Sequence, residues 1–291
     1  MKGREQRWLW SLIVGVQFLT ACASSGPPVF EQSGQAPTMN VGQMARPDDG
    51  ITPAQHISTN IAVFHGRMTV DEVKRVLKHS RTLRGRDMSE LNLSGFNFRG
   101  VDLRDATLRG ADLRGAHLQG ALLESANLRD ADLRFADLSG ARLHRATLEA
   151  ANLGRASLDG ADLRDARLSQ AFLGAAMLHH ADLRQADLTE ANLVGADLSE
   201  ARLVGANLTG AVLDGARLRG ANLSAALLRG AKLRKVSLSQ VDLRDTDVEE
   251  AEFTEVNMRD AQNVHLLKNR DTVKWLSNDV ALHARRDETI H

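Results

Sequence analysis

Ala111-Asp112-Leu113-Arg114-Gly115-Ala116-His117-Leu118-Gln119-Gly120 sets the rhythm of this 291-residue chain. The same five-residue step runs without insertion from Leu91 to Gln262. Positions 93, 98, 103 and onward to 258 make 34 sites, of which 30 are Leu; the others are Phe98, Val248, Phe253 and Met258. Two residues earlier in each unit the site is Ala in 27 of the 34 cases. Leu91, Phe96, Val101, Val236, Val241, Thr246 and Val256 are the exceptions.

A period of five excludes the ordinary readings. Five residues advance an α-helix by about 500°, so the leucines would wander round the axis instead of forming one apolar face. On a long flat strand an odd step sends successive leucines to opposite faces. Within one unit, however, Ala and Leu are two apart, so on a short extended segment both point inward and the residue between them points out. The two remaining positions are rich in Gly, Asp, Ser and Arg, as at Gly110, Asp130 and Gly140, and suit tight corners. One side and one corner per unit close a square every four units. At about 4.8 Å per coil, the 34 units predict about 8.5 coils and a rod of roughly 40 Å. Leu and Ala would fill the narrow interior and leave no room for a substrate.

Ala126-Asn127-Leu128, Ala161-Asp162-Leu163, Ala191-Asn192-Leu193 and Ala206-Asn207-Leu208 carry a closer likeness. They resemble the pentapeptide-repeat family, whose unit reads A-(D/N)-L-x-x, over roughly 170 of the 291 residues. The resemblance implies an all-β solenoid, a right-handed quadrilateral β-helix with Leu at the centre of each side. Members of the family differ widely in function, so the role has to be sought in the walls and ends.

The expected organisation has five parts: a signal peptide over 1–21, a tether over 22–56, an N-terminal helical cap over 57–90, the β-helix over 91–262 and a C-terminal helical cap over 263–291. Lys2, Arg4 and Arg7 precede an apolar stretch from Trp8 to Ala21, the pattern of a signal peptide. Leu19-Thr20-Ala21-Cys22 resembles a bacterial lipobox, which implies cleavage before Cys22 and its acylation; more than one chain gives stable anchoring. Cys22 is also the only cysteine, so no internal disulfide can form. Ala23 and Ser24 follow it in place of Asp, which by resemblance to a sorting rule points to the outer membrane facing the periplasm. All five prolines lie between Pro27 and Pro53, marking the tether. Thr69 with Glu72 predicts a capping box for a helix over 69–80, with Val70, Val73, Val76 and Leu77 at helical spacing. Such a helix would cover the open first coil. A second helix is expected from Asp271 to about Arg286, where Trp275 and Leu282 fall seven apart and could meet a partner or pair two copies of the chain.

Motifs for catalysis are missing: there is no phosphate-binding Gly-rich loop and no His-x-x-x-His pair. His117, His144, His179 and His180 are scattered round the expected coil, so no metal site, cofactor or catalytic residue is assigned. Asp112, Asp132, Asp162 and Asp182 occupy the outward position, where they bond nearby backbone. Residues 91–262 carry 25 Asp and Glu against 21 Lys and Arg, lacking the basic footprint for nucleic acid. The same balance argues against the alternative function that the resemblance offers, a DNA mimic that binds topoisomerases, although Asp242 to Glu255 is acidic. Stacking residues 20 apart puts Phe172 and Val212 outward on one side, with Val194 between them and Gly154 and Gly174 leaving the side shallow. An apolar group outside the core marks a contact surface. The combined expectation is a lipid-anchored, non-catalytic scaffold that binds another envelope protein.

Overall fold

The computed structural model describes residues 66–275; Cys22, Leu282, the signal peptide and the tether expected over 22–56 lie outside them. Within the described residues the five-residue unit folds as one side and one corner. In Ala111–Gly115, Ala111 and Leu113 are fully buried while Asp112 faces outward. Asp112 bridges in parallel to Asn92 and Asp132, each 20 residues away, so one coil is four units. The corner is a four-residue turn closed by Ala116 N–H to the Leu113 carbonyl at 3.0 Å. Its third residue, Gly115, has φ +62°, the sign that a type II turn requires there.

Four walls result, named here by their first outward residue: Thr82, Asp87, Asn92 and Asn97. The Thr82 wall rises through ten levels to Gln262. Inside, leucines and alanines form one continuous core at 0 to 3% exposure. Thr246 replaces an Ala there, and its hydroxyl donates to the Leu223 carbonyl at 2.8 Å. That bond removes the penalty of burying a hydroxyl unpaired.

The coil starts earlier than the alanines indicate. Thr82 already bridges to Asp102, and Leu83 and Met88 are fully buried core residues. Arg81 and Arg86 stand where Ala would, which hides these two units from a search for Ala. The helix before them, α1, spans Val70–His79. Its capping box is formed: Thr69 Oγ1 accepts the Glu72 N–H, and Glu72 Oε2 accepts the Thr69 N–H at 2.7 Å. Val73 is fully buried and Val76 and Leu77 pack on the core, so α1 covers the first coil.

The other end corrects the start of the expected C-terminal helix, over 271–275; its remainder, from residue 276 on, lies outside the described residues. Three short strands, β1 (Lys232–Arg234), β2 (Glu252–Thr254) and β3 (Lys274–Trp275), pair in parallel as a continuation of the Asn92 wall. Asp247 pairs with Lys268 and Glu252 with Lys274, so the interval grows to 21 and then 22 residues. Two units have six residues, and the extra residue is absorbed by 3₁₀ turns at Val264–Leu266 and Arg270–Thr272. Asn263 and Asn269 enter those turns at φ 56°, and their amides donate to Asp242 and Asp247 at 2.7 and 2.8 Å. Asp271 therefore sits in a 3₁₀ turn and Trp275 on a strand, in register with Phe253. Pairing with β2 satisfies backbone groups that a helix at this point would leave open. Trp275 meets Phe253 edge-on at 5.3 Å and sits over the end of the core column while remaining 38% exposed.

The corner position keeps φ between 54° and 69° whether it holds Gly or another residue. Gly115 has no neighbour within 4 Å of an added Cβ, so Gly115→Ala meets only backbone strain. It should destabilise by about 1 kcal/mol, and Ala150→Gly, at φ 56°, should recover up to a similar amount. Thermal melts of the two variants beside the parent chain check the pair of opposite signs.

Candidate interaction surface

Outward positions stack into columns. On the Asn92 wall the column runs Asn92, Asp112, Asp132, Asn152, Phe172, Asn192, Val212, Lys232. Two residues further on, a parallel column runs Arg114, Arg134, Gly154, Gly174, Val194, Asp214, Arg234. Asp112, Asp132, Arg114 and Arg134 carry charge on one side and Asp214, Lys232 and Arg234 on the other, while the middle, from Asn152 to Val212, holds none. These two columns therefore carry an uncharged band of apolar and amide side chains between charged stretches, with Arg155 on its corner.

Phe172 dominates the band. A methyl group added at Gly174 would lie 2.6 Å from its Cζ, and one at Gly154 would lie 2.9 Å from Cε1. Its ring thus lies along the wall over both glycines, and still exposes 44% of the residue. Val194 is 42% exposed, and Val212 is half-buried. The sequence reading missed two neighbours. Phe135, 60% exposed, stands on the corner of the same wall with the Arg155 guanidinium 5.8 Å from its ring centroid. Met177, 47% exposed, lies round the corner at Gly174–Ala175. Phe135 was overlooked because it takes a corner position; stacking that position by 20 places it over Arg155.

The rest of the wall surface is polar and internally paired. Asp112 Oδ1 accepts the backbone N–H of Arg114 at 3.1 Å, and the carboxylate takes two guanidinium N–H groups at 2.8 and 2.6 Å. Asp132 and Asp162 repeat this with Arg134 and Arg164. Hydrogen bonds from these guanidinium groups hold the Asp112, Asp132 and Asp162 carboxyls below the usual carboxylate range. Each carboxylate thus bonds its own corner and arginine.

The acidic stretch near the C-terminal end is likewise matched. The basic residues 229–235 lie one coil before the acidic residues 247–255. Arg229 meets Asp247 at 2.7 Å and Glu249 at 3.5 Å, Lys232 is in register with Glu252, and Lys235 reaches Glu255 at 4.0 Å. Lys274 on the last strand meets Glu250 at 3.3 Å. These blocks neutralise each other because the coil repeat brings them level. Among the described residues no helix is long and apolar enough to cross a membrane.

A family model described as Pentapeptide repeats matches the chain in eight copies that together run from residue 83 to 260. No curated protein gives a significant sequence match. Among solved structures, HetL from the cyanobacterium Nostoc sp. strain PCC 7120, a pentapeptide repeat protein involved in heterocyst differentiation regulation, is similar. It is 27% identical, with 75% of this chain and 100% of that chain covered and a TM-score of 0.55. QnrB1, a plasmid-mediated fluoroquinolone resistance protein, in a trypsin-treated form, is 20% identical, covering 64% and 90%, with a TM-score of 0.44. Rfr23 from the cyanobacterium Cyanothece 51142 is 25% identical, covering 59% and 97%, with a TM-score of 0.26. The likeness to HetL agrees with the fold built above, a right-handed β-helix.

Proposed function

Because the chain belongs to the pentapeptide-repeat family, we propose that it is a non-catalytic scaffold of the bacterial cell envelope, anchored by lipid on Cys22 and binding a partner protein through the Phe172 wall. The observation that carries this reading is the apolar group of Phe172, Val194 and Val212, with Phe135 and Met177 nearby, on a stretch of wall flanked by charged residues. Large exposed apolar groups gathered in one place are the usual mark of a binding surface. The packed core supports the same reading, since its Leu and Ala side chains occupy the interior where a substrate would have to enter.

The address rests on the sequence alone: an apolar leader ending in Leu19-Thr20-Ala21-Cys22, then a proline-containing stretch that would hold the rod off the bilayer. Ala23 and Ser24 after Cys22 favour the outer membrane over the inner. The partner is then an envelope protein that offers apolar side chains framed by neutral polar ones. A topoisomerase-directed DNA mimic is the weaker reading, because Asp247, Glu249 and Glu255 of the acidic block pair with Arg229 and Lys235 one coil earlier.

Two outcomes follow. A photo-crosslinking residue at position 194 in intact cells should capture a discrete partner, and Phe172→Asp should lower that yield about tenfold while changing stability by no more than about 1 kcal/mol. Unchanged capture in Phe172→Asp would remove the wall from the account. In cell fractionation, Cys22→Ala should move the protein from the membrane pellet to the soluble fraction, and equal partition of the two forms would defeat the anchor.

A further inference from the structure

The corner after the Asn97 wall brings together groups that the sequence separates. His179 and His180 are the last two residues of one unit, and Glu200 takes the corner position one coil later. One nitrogen from each imidazole and one carboxylate oxygen lie within 4.8 Å of one another. His180 Nδ1 is 3.4 Å from Glu200 Oε2, and His179 Nε2 is 4.0 Å from Glu200 Oε1. Two ligands about 2.1 Å from a tetrahedral zinc ion lie about 3.4 Å apart. The first pair already has that spacing; the second is measured to the other carboxylate oxygen, and a turn of the Glu200 and His179 side chains would close the set around one ion.

Three further features suit a ligand set. The backbone is held on all sides: His180 N–H donates to the Ser199 carbonyl at 3.1 Å, Gly160 N–H donates to the His179 carbonyl at 2.9 Å, and His179 N–H reaches Asp159 Oδ1 at 3.2 Å. The imidazoles therefore spring from a rigid corner. Among the described residues Glu200 meets no lysine or arginine within ion-pair distance, since the nearby Arg219 bonds Gln240 at 3.2 Å. Its carboxylate is available. The site also opens on a polar cleft of about 540 Å³, bounded by Asp197, Ser199, Glu200 and Gly220, so an ion could enter and keep water in its remaining position. Gly220 matters here, because a Cβ there would meet Glu200 Cγ at 3.4 Å.

We infer that His179, His180 and Glu200 form a surface site for a divalent transition-metal ion of zinc type, with two imidazole nitrogens, one carboxylate oxygen and an open position. Imidazole with carboxylate suits zinc, nickel and copper better than magnesium or calcium, which prefer oxygen alone. The spacing of His179 and His180 gives no hint of this in sequence, because the third ligand is 20 residues on.

The test is calorimetric titration of the purified, untagged full-length chain, freed of metal, with zinc chloride. One ion per chain should bind with micromolar or tighter affinity. His180→Ala and Glu200→Gln should each weaken that binding by at least about tenfold, while His117→Ala, on the same wall but away from the cluster, should leave it unchanged. All three positions face outward, and circular dichroism of each variant confirms the fold. Replacing zinc by cobalt gives a second readout, in which the intense visible absorption of a tetrahedral ion should vanish in His180→Ala. Absence of saturable binding, or binding that survives both substitutions, overturns the site.

Discussion

The structure depends on the parallel hydrogen bonding of residues one coil apart. Leu113 N–H donates to Asp132 at 2.8 Å while Asp112 N–H donates to Leu91 at 2.9 Å, and the same two bonds recur along every wall. Once that interval is set, a side chain's neighbours are known from its position alone. Leu stacks on Leu, and Ala on Ala, over the length of the core. The interval also decides chemistry outside: it lays Arg229 against Asp247 and Glu249, Phe172 between two shallow glycine positions, and Glu200 beside the two histidines.

Ends are the weak points of such a stack, because a coil with no neighbour exposes unpaired backbone and core side chains. The two ends solve this differently. At the first coil, α1 lays Val73, Val76 and Leu77 over the leucines, and a formed capping box fixes where the helix begins. At the other end the coil loosens into six-residue units, and aromatic side chains take the core position, with Trp275 edge-on to Phe253. Phe96 and Phe98 stack at 5.8 Å near the opposite end, so bulky aromatics occur at both margins of a core otherwise made mostly of Leu and Ala.

Most of the wall architecture was legible in the sequence, since a core of two residue types at fixed spacing admits one solution. What escaped did so for physical reasons. Leu83 and Met88 are core residues whose units begin with Arg81 and Arg86, so burial at the third position outweighs the loss of Ala at the first. Trp275 reads as helical because Val273, Leu276 and Val280 are spaced three and four apart, a helical period, whereas the open edge of β2 draws Lys274–Trp275 into a strand. Of the contact band, Phe172, Val194 and Val212 are visible as apolar residues in outward positions. Phe135 is not, because it stands at a corner, where polar residues are expected, and Glu200 is not, because it joins the histidines through the coil interval and not through a motif.

Solenoids of this kind are quasi-one-dimensional, so a single distance scale characterises them. Pulsed electron resonance on spin labels placed on the Thr82 wall measures that scale, in a chain where Cys22 is replaced by Ala. Thr82 paired with Arg202, six coils on, and Thr82 paired with Gln262, nine coils on, should give separations of about 29 Å and about 43 Å. Separations that fail to grow by about 4.8 Å for every 20 residues along this wall would contradict the stacked coil and everything placed on it.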